Sequence, residues 1–308
     1  MPNTVTKLQE RFQREASGQE KVMPLVYALL SIALGGGLRT GTLTLLVGEP
    51  GSSKTFAALA MCLYAYLHGW SWVYLPFERD NEYALRRMLS IFVNDWRVMD
   101  VGRKENAHIL NDDKVLKHMA KIEPCILPNP RQMRRDDMGN MFVPDCHYAD
   151  ILGHLRKLCQ ANQFVVLDPL SMLAFDDSGR GAWEGQERFA KDAAALAAQY
   201  GTRILIVHHT RKSASGGKPR QNSLDEVAGA AALSRFSDNV IFLEHNSDGT
   251  ENEIVDPYGI TTSKVHKRTL YVAKARDGKG AGWKIACDLS EEGPVLKEWG
   301  FVKRKGGK

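Results

Sequence analysis

The chain has 308 residues, 44% of them hydrophobic, enough to bury one large α/β core or two small ones and too much for a disordered chain. Its net charge of +5 is a mild excess that names no partner, so the placement of the basic residues carries the information. Cys62, Cys125, Cys146, Cys159 and Cys287 are scattered without a Cys-x-x-Cys, which excludes a disulfide frame or zinc site. The polar stretch 1–20 excludes a secretory signal, and the longest apolar run, 23–34, is too short to span a bilayer. The expectation is a soluble cytoplasmic protein with no membrane partner.

Residues 4–20 read as a short polar helix with Leu8 and Phe12 four apart on a narrow stripe, either packed on its own domain or docked on a neighbouring subunit as an arm (residues 1–22). Residues 23–34 read as a second helix stopped by Gly35-Gly36-Gly37. An apolar strand, 43–47, then runs into the loop Gly48-Glu49-Pro50-Gly51-Ser52-Ser53, and Lys54-Thr55 open a helix to residue 68. Strand, Gly-rich loop and helix in that order suit a phosphate-binding loop. Backbone N–H groups and the positive helix end cradle phosphates, Lys54 neutralises them, and the Thr55 hydroxyl ligates Mg²⁺. The spacing Gly48-x-x-x-x-Ser53-Lys54-Thr55 matches the Walker A pattern of ATP-binding proteins except that Ser53 stands where the pattern has its last glycine.

Residues 70–77 read as a second buried strand ending on Glu78, with a helix following over 81–96. Glu78 is placed either to polarise a water beside the phosphate loop or to interact with the next helix dipole. Residues 97–150 give a helix near 114–122, a short strand at 125–127 and a mixed-charge surface loop, 128–141. A helix over 148–159 feeds the strand 164–168, four apolar residues ending in Asp168. Downstream of a phosphate loop this has Walker B form, its carboxylate holding the Mg²⁺ shell opposite Thr55.

A polar loop, 175–187, precedes a helix over 188–200, and the strand 203–207 ends in His208-His209. Neighbours on a strand face opposite sides, so the pair is poorly placed to chelate one metal; one of them is placed to sense a γ-phosphate. Residues 211–226 form a loop in which Arg211, Lys212, Lys218 and Arg220 suit contact with a nucleic-acid backbone, and without an aromatic residue the loop gives no sign of base stacking. A small-residue helix at 228–233, a strand at 240–243, a polar excursion over 245–264, strands at 268–273, 283–287 and 295–302 and a basic tail, 303–308, complete the chain. No linker or repeat divides residues 23–302.

The four signals in order (residues 48–55, Glu78, Asp168 and His208-His209) resemble the RecA-like ATPases, in particular the DnaB/RepA type of replicative hexameric helicase, over roughly residues 30–290. The stretch Lys274-x-Arg276-Asp-Gly278 is similar to that family's Lys-x-Arg-Asn-Gly element. The resemblance implies a single RecA-like α/β domain with a mainly parallel sheet, ATP and Mg²⁺ as cofactors, and a ring that moves on single-stranded DNA. It implies Glu78 as catalytic carboxylate, His208 or His209 as phosphate sensor, residues 211–226 as a DNA-touching pore loop, and Arg276 with Lys274 as a finger acting on the neighbouring subunit's ATP. Primase, initiator or loader proteins would be its partners. Residues 1–20 are too short for the separate amino-terminal domain of bacterial replicative helicases, so the expectation is a compact plasmid- or phage-encoded form, or a chain that relies on other proteins for loading. A filament-forming recombinase of the RecA/RadA type and a KaiC-like regulatory ATPase without motor activity share the core motifs and stay open here.

Overall fold

Strands buried on both faces form the centre of the molecule. The computed structural model describes residues 5–6, 9–10, 12–13, 21–100, 102–109, 111–135, 141–142, 144, 146–175, 182–210 and 230–303. The strands β1 (Leu43–Gly48), β2 (Trp72–Pro76) and β3 (Phe164–Asp168) are buried throughout, and β4 (Arg203–His209) is buried up to its last residue. Such near-continuous apolar strands need cover on both sides, as parallel sheets do. Four further strands, β5 (Asn239–Val255), β6 (Thr261–Ala275), β7 (Lys284–Leu289) and β8 (Leu296–Val302), complete one sheet in the order β8-β7-β6-β5-β1-β4-β3-β2. Five of them, β5-β1-β4-β3-β2, run parallel, and β5 to β8 are antiparallel neighbours.

The two-residue side-chain period divides the core. Leu43, Leu45 and Val47 join Val165, Leu167, Ile204 and Ile206 on one face, covered by α5 (Tyr148–Ala161), α6 (Ala182–Tyr200) and α7 (Ala230–Phe236). Leu46, Val166, Leu205 and Val207 form the other face, under α1 (Ala28–Ala33), α2 (Lys54–Leu67), α3 (Asn81–Phe92) and α4 (Asp113–Ile122). Side chains cap several helix starts: Asp80 accepts from the Tyr83 N–H at 2.7 Å, and Asp112 from Lys114 N–H at 2.8 Å. For α1 the cap comes from the far end of the chain, where the Glu298 carboxylate accepts from the N–H groups of Leu29 (2.8 Å) and Leu30 (2.9 Å).

The structure corrects several expected elements. The helix expected over 23–34 begins only at Ala28, because Met23 precedes Pro24 and is paired with Leu38 in an isolated antiparallel bridge. The helix expected over 81–96 ends at Phe92, where Asn94 turns left-handed (φ 52°), and Trp96–Met99 form a separate 3-10 turn. Residues 125–127 are not a strand; a 3-10 turn (Glu123–Cys125) leads to a single bridge from Ile126 to Tyr74. The helix expected from 188 starts at Ala182, inside the expected loop: Gly185 argues for a turn, but its cost of about 1 kcal/mol is small for a 19-residue helix with Glu184 in its first turn. The polar excursion over 245–264 belongs to one long hairpin, whose partners run from Asn239↔Ala275 to Val255↔Thr261 with an irregularity between His245 and Thr250. Much of the residue 1–22 arm and residues 304–308 of the tail lie outside the described residues.

Candidate active site

The loop between β1 and α2 is shaped by close approach. A Cβ on Gly48 would lie 2.4 Å from the Leu243 carbonyl oxygen and 2.8 Å from Ser52 Oγ, so only glycine fits. At the helix start Ser53 is left-handed, φ 78° and ψ 22°, and its side chain caps no N–H. The first N–H groups of α2 therefore take no partner from Ser53 and are free to face an anion. Lys54 is 4% exposed; its ammonium donates to the Glu49 carbonyl at 2.6 Å and to Ser52 Oγ at 3.3 Å. Burial lowers its pKa to about 8, against the raising influence of Asp168, Glu78 and Glu49.

Asp168 ends β3 beside this loop and is buried. Burial pushes its pKa up, while hydrogen bonds from Tyr74 and Thr55 and the nearby charges of Arg87 and Lys54 pull it down. The Tyr74 hydroxyl donates to Asp168 Oδ2 at 2.7 Å. Thr55, Glu78 and Asp168 line one cleft of about 110 Å³ together with Arg79, Tyr83 and Arg87. The donor set fits a small hard cation. The Thr55 hydroxyl and a buried carboxylate are oxygen donors, suited to Mg²⁺ that keeps water and phosphate for its other positions. Among the described residues no group of three or more His, Cys, Asp or Glu side chains could hold a metal without such help.

The register of β4 against β1, Val47↔His208 and Gly48↔His209, brings both histidines to the loop's edge on opposite faces. His209 lies on the loop side: burial and Lys54 lower its pKa, and Glu78 raises it. Its Nδ1 and the Oγ1 of Thr210 are buried without a hydrogen-bond partner among the described residues. Lys54, Thr55, Glu78, Asp168 and His209 are thus gathered at one end of the sheet.

Lys274 and Arg276 are not part of that group. Ala275 pairs with Asn239, which pairs with Thr44, and the Arg276 N–H donates to the Asp238 carbonyl beside Leu43, so Arg276 sits at the opening end of β1, five residues before Gly48 and about 17 Å away along the strand. Arg276 is 59% exposed and bonded to Asp238 at 2.8 Å, and Lys274 Nζ donates to the carbonyls of Ser234 (2.9 Å) and Arg235 (3.3 Å) at the carboxyl end of α7. Burial lowers the Lys274 pKa, helped by Arg276. The hairpin tip is seated on α1, where the Gly280 N–H donates to the Ala33 carbonyl at 3.0 Å and a Cβ on Gly280 would come within 2.5 Å of Ala33. Arg211, Lys212, Lys218 and Arg220 lie outside the described residues.

Tyr74, Arg79 and Arg87 were not singled out by the motifs. Tyr74 was accessible in principle, being two residues before Pro76, which pairs with Asp168. Tyr83 and Arg87 carry a second signal, an aromatic–arginine pair at i, i+4 on one helix face.

Residues 31–215 match the protein family described as an AAA domain. No curated protein matches in sequence. Among solved structures, the chain is similar to one described as an ATPase domain (TM-score 0.73, 12% identity, covering 97% of this chain and 100% of that one). It is also similar to a DnaB-like replicative helicase described with its interactions with primase (TM-score 0.68, 13% identity, covering 99% of this chain and 68% of that one). The fold is therefore the RecA-like P-loop ATPase fold found in DnaB-type helicases. Family and fold together support ATPase activity. No helix among the described residues is long and apolar enough to cross a membrane.

Proposed function

The chain belongs to the AAA-domain family, and from that premise we propose that it is an ATP-driven translocase and helicase on single-stranded DNA, working as a hexameric ring with its ATP sites between subunits. One observation carries the reading. The loop, Glu78, Asp168 and His209 converge at one end of the sheet, while Arg276 stands about 17 Å away at the other, exposed and out of reach of its own loop. An exposed arginine at that edge suits the site of a second copy in a head-to-tail ring.

In this reading the loop N–H groups and Lys54 hold the β- and γ-phosphates of ATP. Glu78 takes the proton of the attacking water, and His209 Nδ1 and Thr210 Oγ1 meet the γ-phosphate. Thr55 and Asp168 hold Mg²⁺, which when bound offsets charge on the phosphates. The water oxygen bonds to phosphorus, the bond to the ADP oxygen breaks, and the neighbour's Arg276 stabilises the transferred group, with Lys274 holding the hairpin on α7. Such a finger is worth roughly 10³–10⁵ in rate where measured. Arg211, Lys212, Lys218 and Arg220 contact the DNA backbone, and a primase is a partner by analogy with the DnaB-like neighbour.

Mixing two dead variants tests the shared site. Lys54→Ala and Arg276→Ala should each abolish ATPase activity, Arg276→Ala with ATP binding retained. Mixed one to one before assembly, they should regain about a quarter of wild-type activity, since one interface type in a random ring holds an intact loop and an intact finger. No recovery in mixed rings, or full activity of Arg276→Ala alone, sinks the trans assignment. ATPase activity that single-stranded DNA fails to stimulate would move the reading to a non-motor ATPase.

A further inference from the structure

The cleft beside Asp168 holds two arginines that the proposed mechanism does not use. Arg87 stacks over the rings of Phe56 (5.0 Å) and Tyr83 (4.5 Å), and Arg79 lies over Tyr83 (5.5 Å). Two guanidinium groups thus share one aromatic ring, an arrangement in which they repel each other unless an anion joins them. Arg87 Nη2 donates to the Tyr83 hydroxyl at 3.3 Å, while its Nε is buried without a hydrogen-bond partner. Among the described residues neither arginine makes an ion pair. A buried guanidinium N–H left unbonded in a polar cleft points to a missing acceptor. The cleft volume of about 110 Å³ is several times the ~10–15 Å³ that one water needs by the same measure, room for a tetrahedral oxyanion.

We propose that Arg87 and Arg79 form a binding site for the orthophosphate produced by hydrolysis, so that the product leaves the active site through this cleft. The inference rests on the nucleotide-hydrolysis reading and deepens it. Glu78 lines the same cleft, and its negative charge opposes an anion there. When Glu78 takes the proton of the attacking water, that charge disappears in the step that creates phosphate, and the arginines then dominate the local field. Planar N–H forks on a stacked guanidinium match phosphate oxygens well. Arg87 also lies within electrostatic reach of Asp168, so occupation by phosphate would be felt at the cation-binding carboxylate.

Equilibrium dialysis of radiolabelled orthophosphate against the full chain, with saturating Mg-ADP, tests the site directly. One phosphate should bind per chain. Arg87→Gln should weaken that binding about tenfold or more, and Arg87→Lys less, with Mg-ADP affinity within about twofold of wild type in Arg87→Lys, which keeps the positive charge near Asp168. Arg79 is exposed, so Arg79→Gln leaves the fold intact and decides the matter if Arg87→Gln misfolds; it should weaken phosphate about threefold. Phosphate that fails to bind the ADP-loaded wild type, or binds the folded variants with wild-type affinity, overturns the proposal. A wild-type chain that binds no Mg-ADP overturns the nucleotide reading instead, so the two failures are told apart.

Discussion

Ser53 stands at the one loop position whose backbone conformation argues for another residue. Its φ of 78° and ψ of 22° are left-handed, where an L-residue costs roughly 1–2 kcal/mol more than in the right-handed region and glycine pays no such penalty. A new glycine also gives the unfolded chain extra freedom, worth about 0.5–1 kcal/mol against the variant. The difference leaves Ser53→Gly more stable by about 0.5–1 kcal/mol, a rise in Tm of about 1–1.5 °C for a chain of this length. The hydroxyl caps no helix N–H, so Ser53→Ala, which keeps the Cβ and its strain, should stay within about 0.5 kcal/mol of wild type. Thermal and urea unfolding of the three proteins without nucleotide separates the two contributions, and steady-state turnover on the same preparations shows whether the strain slows the loop. A lower Tm for Ser53→Gly, or a loss above about 1 kcal/mol for Ser53→Ala, would refute the reasoning, because the strain or the idle hydroxyl would then have been misjudged.

Glu298→Ala leaves the Leu29 and Leu30 N–H groups without their acceptor and should cost about 2–3 kcal/mol in urea unfolding; a loss below about 0.5 kcal/mol would rule out the cap. Burial raises the folded pKa of Glu298, so the native state binds its proton more tightly than the unfolded state does. Wild-type stability should therefore fall as pH rises from the ordinary glutamate range through the raised value, a slope that the alanine variant lacks. Tyr74→Phe removes the 2.7 Å hydrogen bond to Asp168, should cost about 1–2 kcal/mol, and should move the acidic limb of the ATPase pH profile upward, since that bond holds the carboxyl pKa down; an unmoved limb would count against the contact. Arg276→Ala should cost less than about 1 kcal/mol of stability, because its guanidinium is 59% exposed and the Asp238 carboxylate keeps the Leu43 N–H as a partner; a larger loss would make the hairpin arginine a structural residue first.

The phosphate loop and Asp168 were legible because each couples a fully buried apolar strand to a polar residue at its end, and both strands formed within a residue of the expected bounds. Ser53 was visible as a departure, and its backbone angle explains why the pattern has glycine there. The outer half of β5–β6 was hidden because much of it is solvated on both faces, so its side chains show no apolar–polar alternation for a two-residue period to detect. Arg79 and Arg87 escaped because arginines at a helix start and on a half-exposed helix read as solvated charge. Their meaning comes from the Phe56 and Tyr83 rings and from β3, which approaches α3 only in three dimensions. His208 and His209 were equivalent in sequence; the electrostatic influence of Lys54 and Glu78 on His209 separates them.

The cap that Glu298 makes on α1 has a consequence for assembly. Ala33, at the end of that six-residue helix, is the seat of the Gly278–Gly280 tip that carries Arg276. A helix this short has little stability of its own and depends on its cap and its packing. The final strand, one short helix and the arginine hairpin thus form a single mechanical linkage. On the proposed trans role of Arg276, a neighbour gains its arginine only once β8 has folded against α1, which ties assembly of the shared site to the strand that carries Glu298.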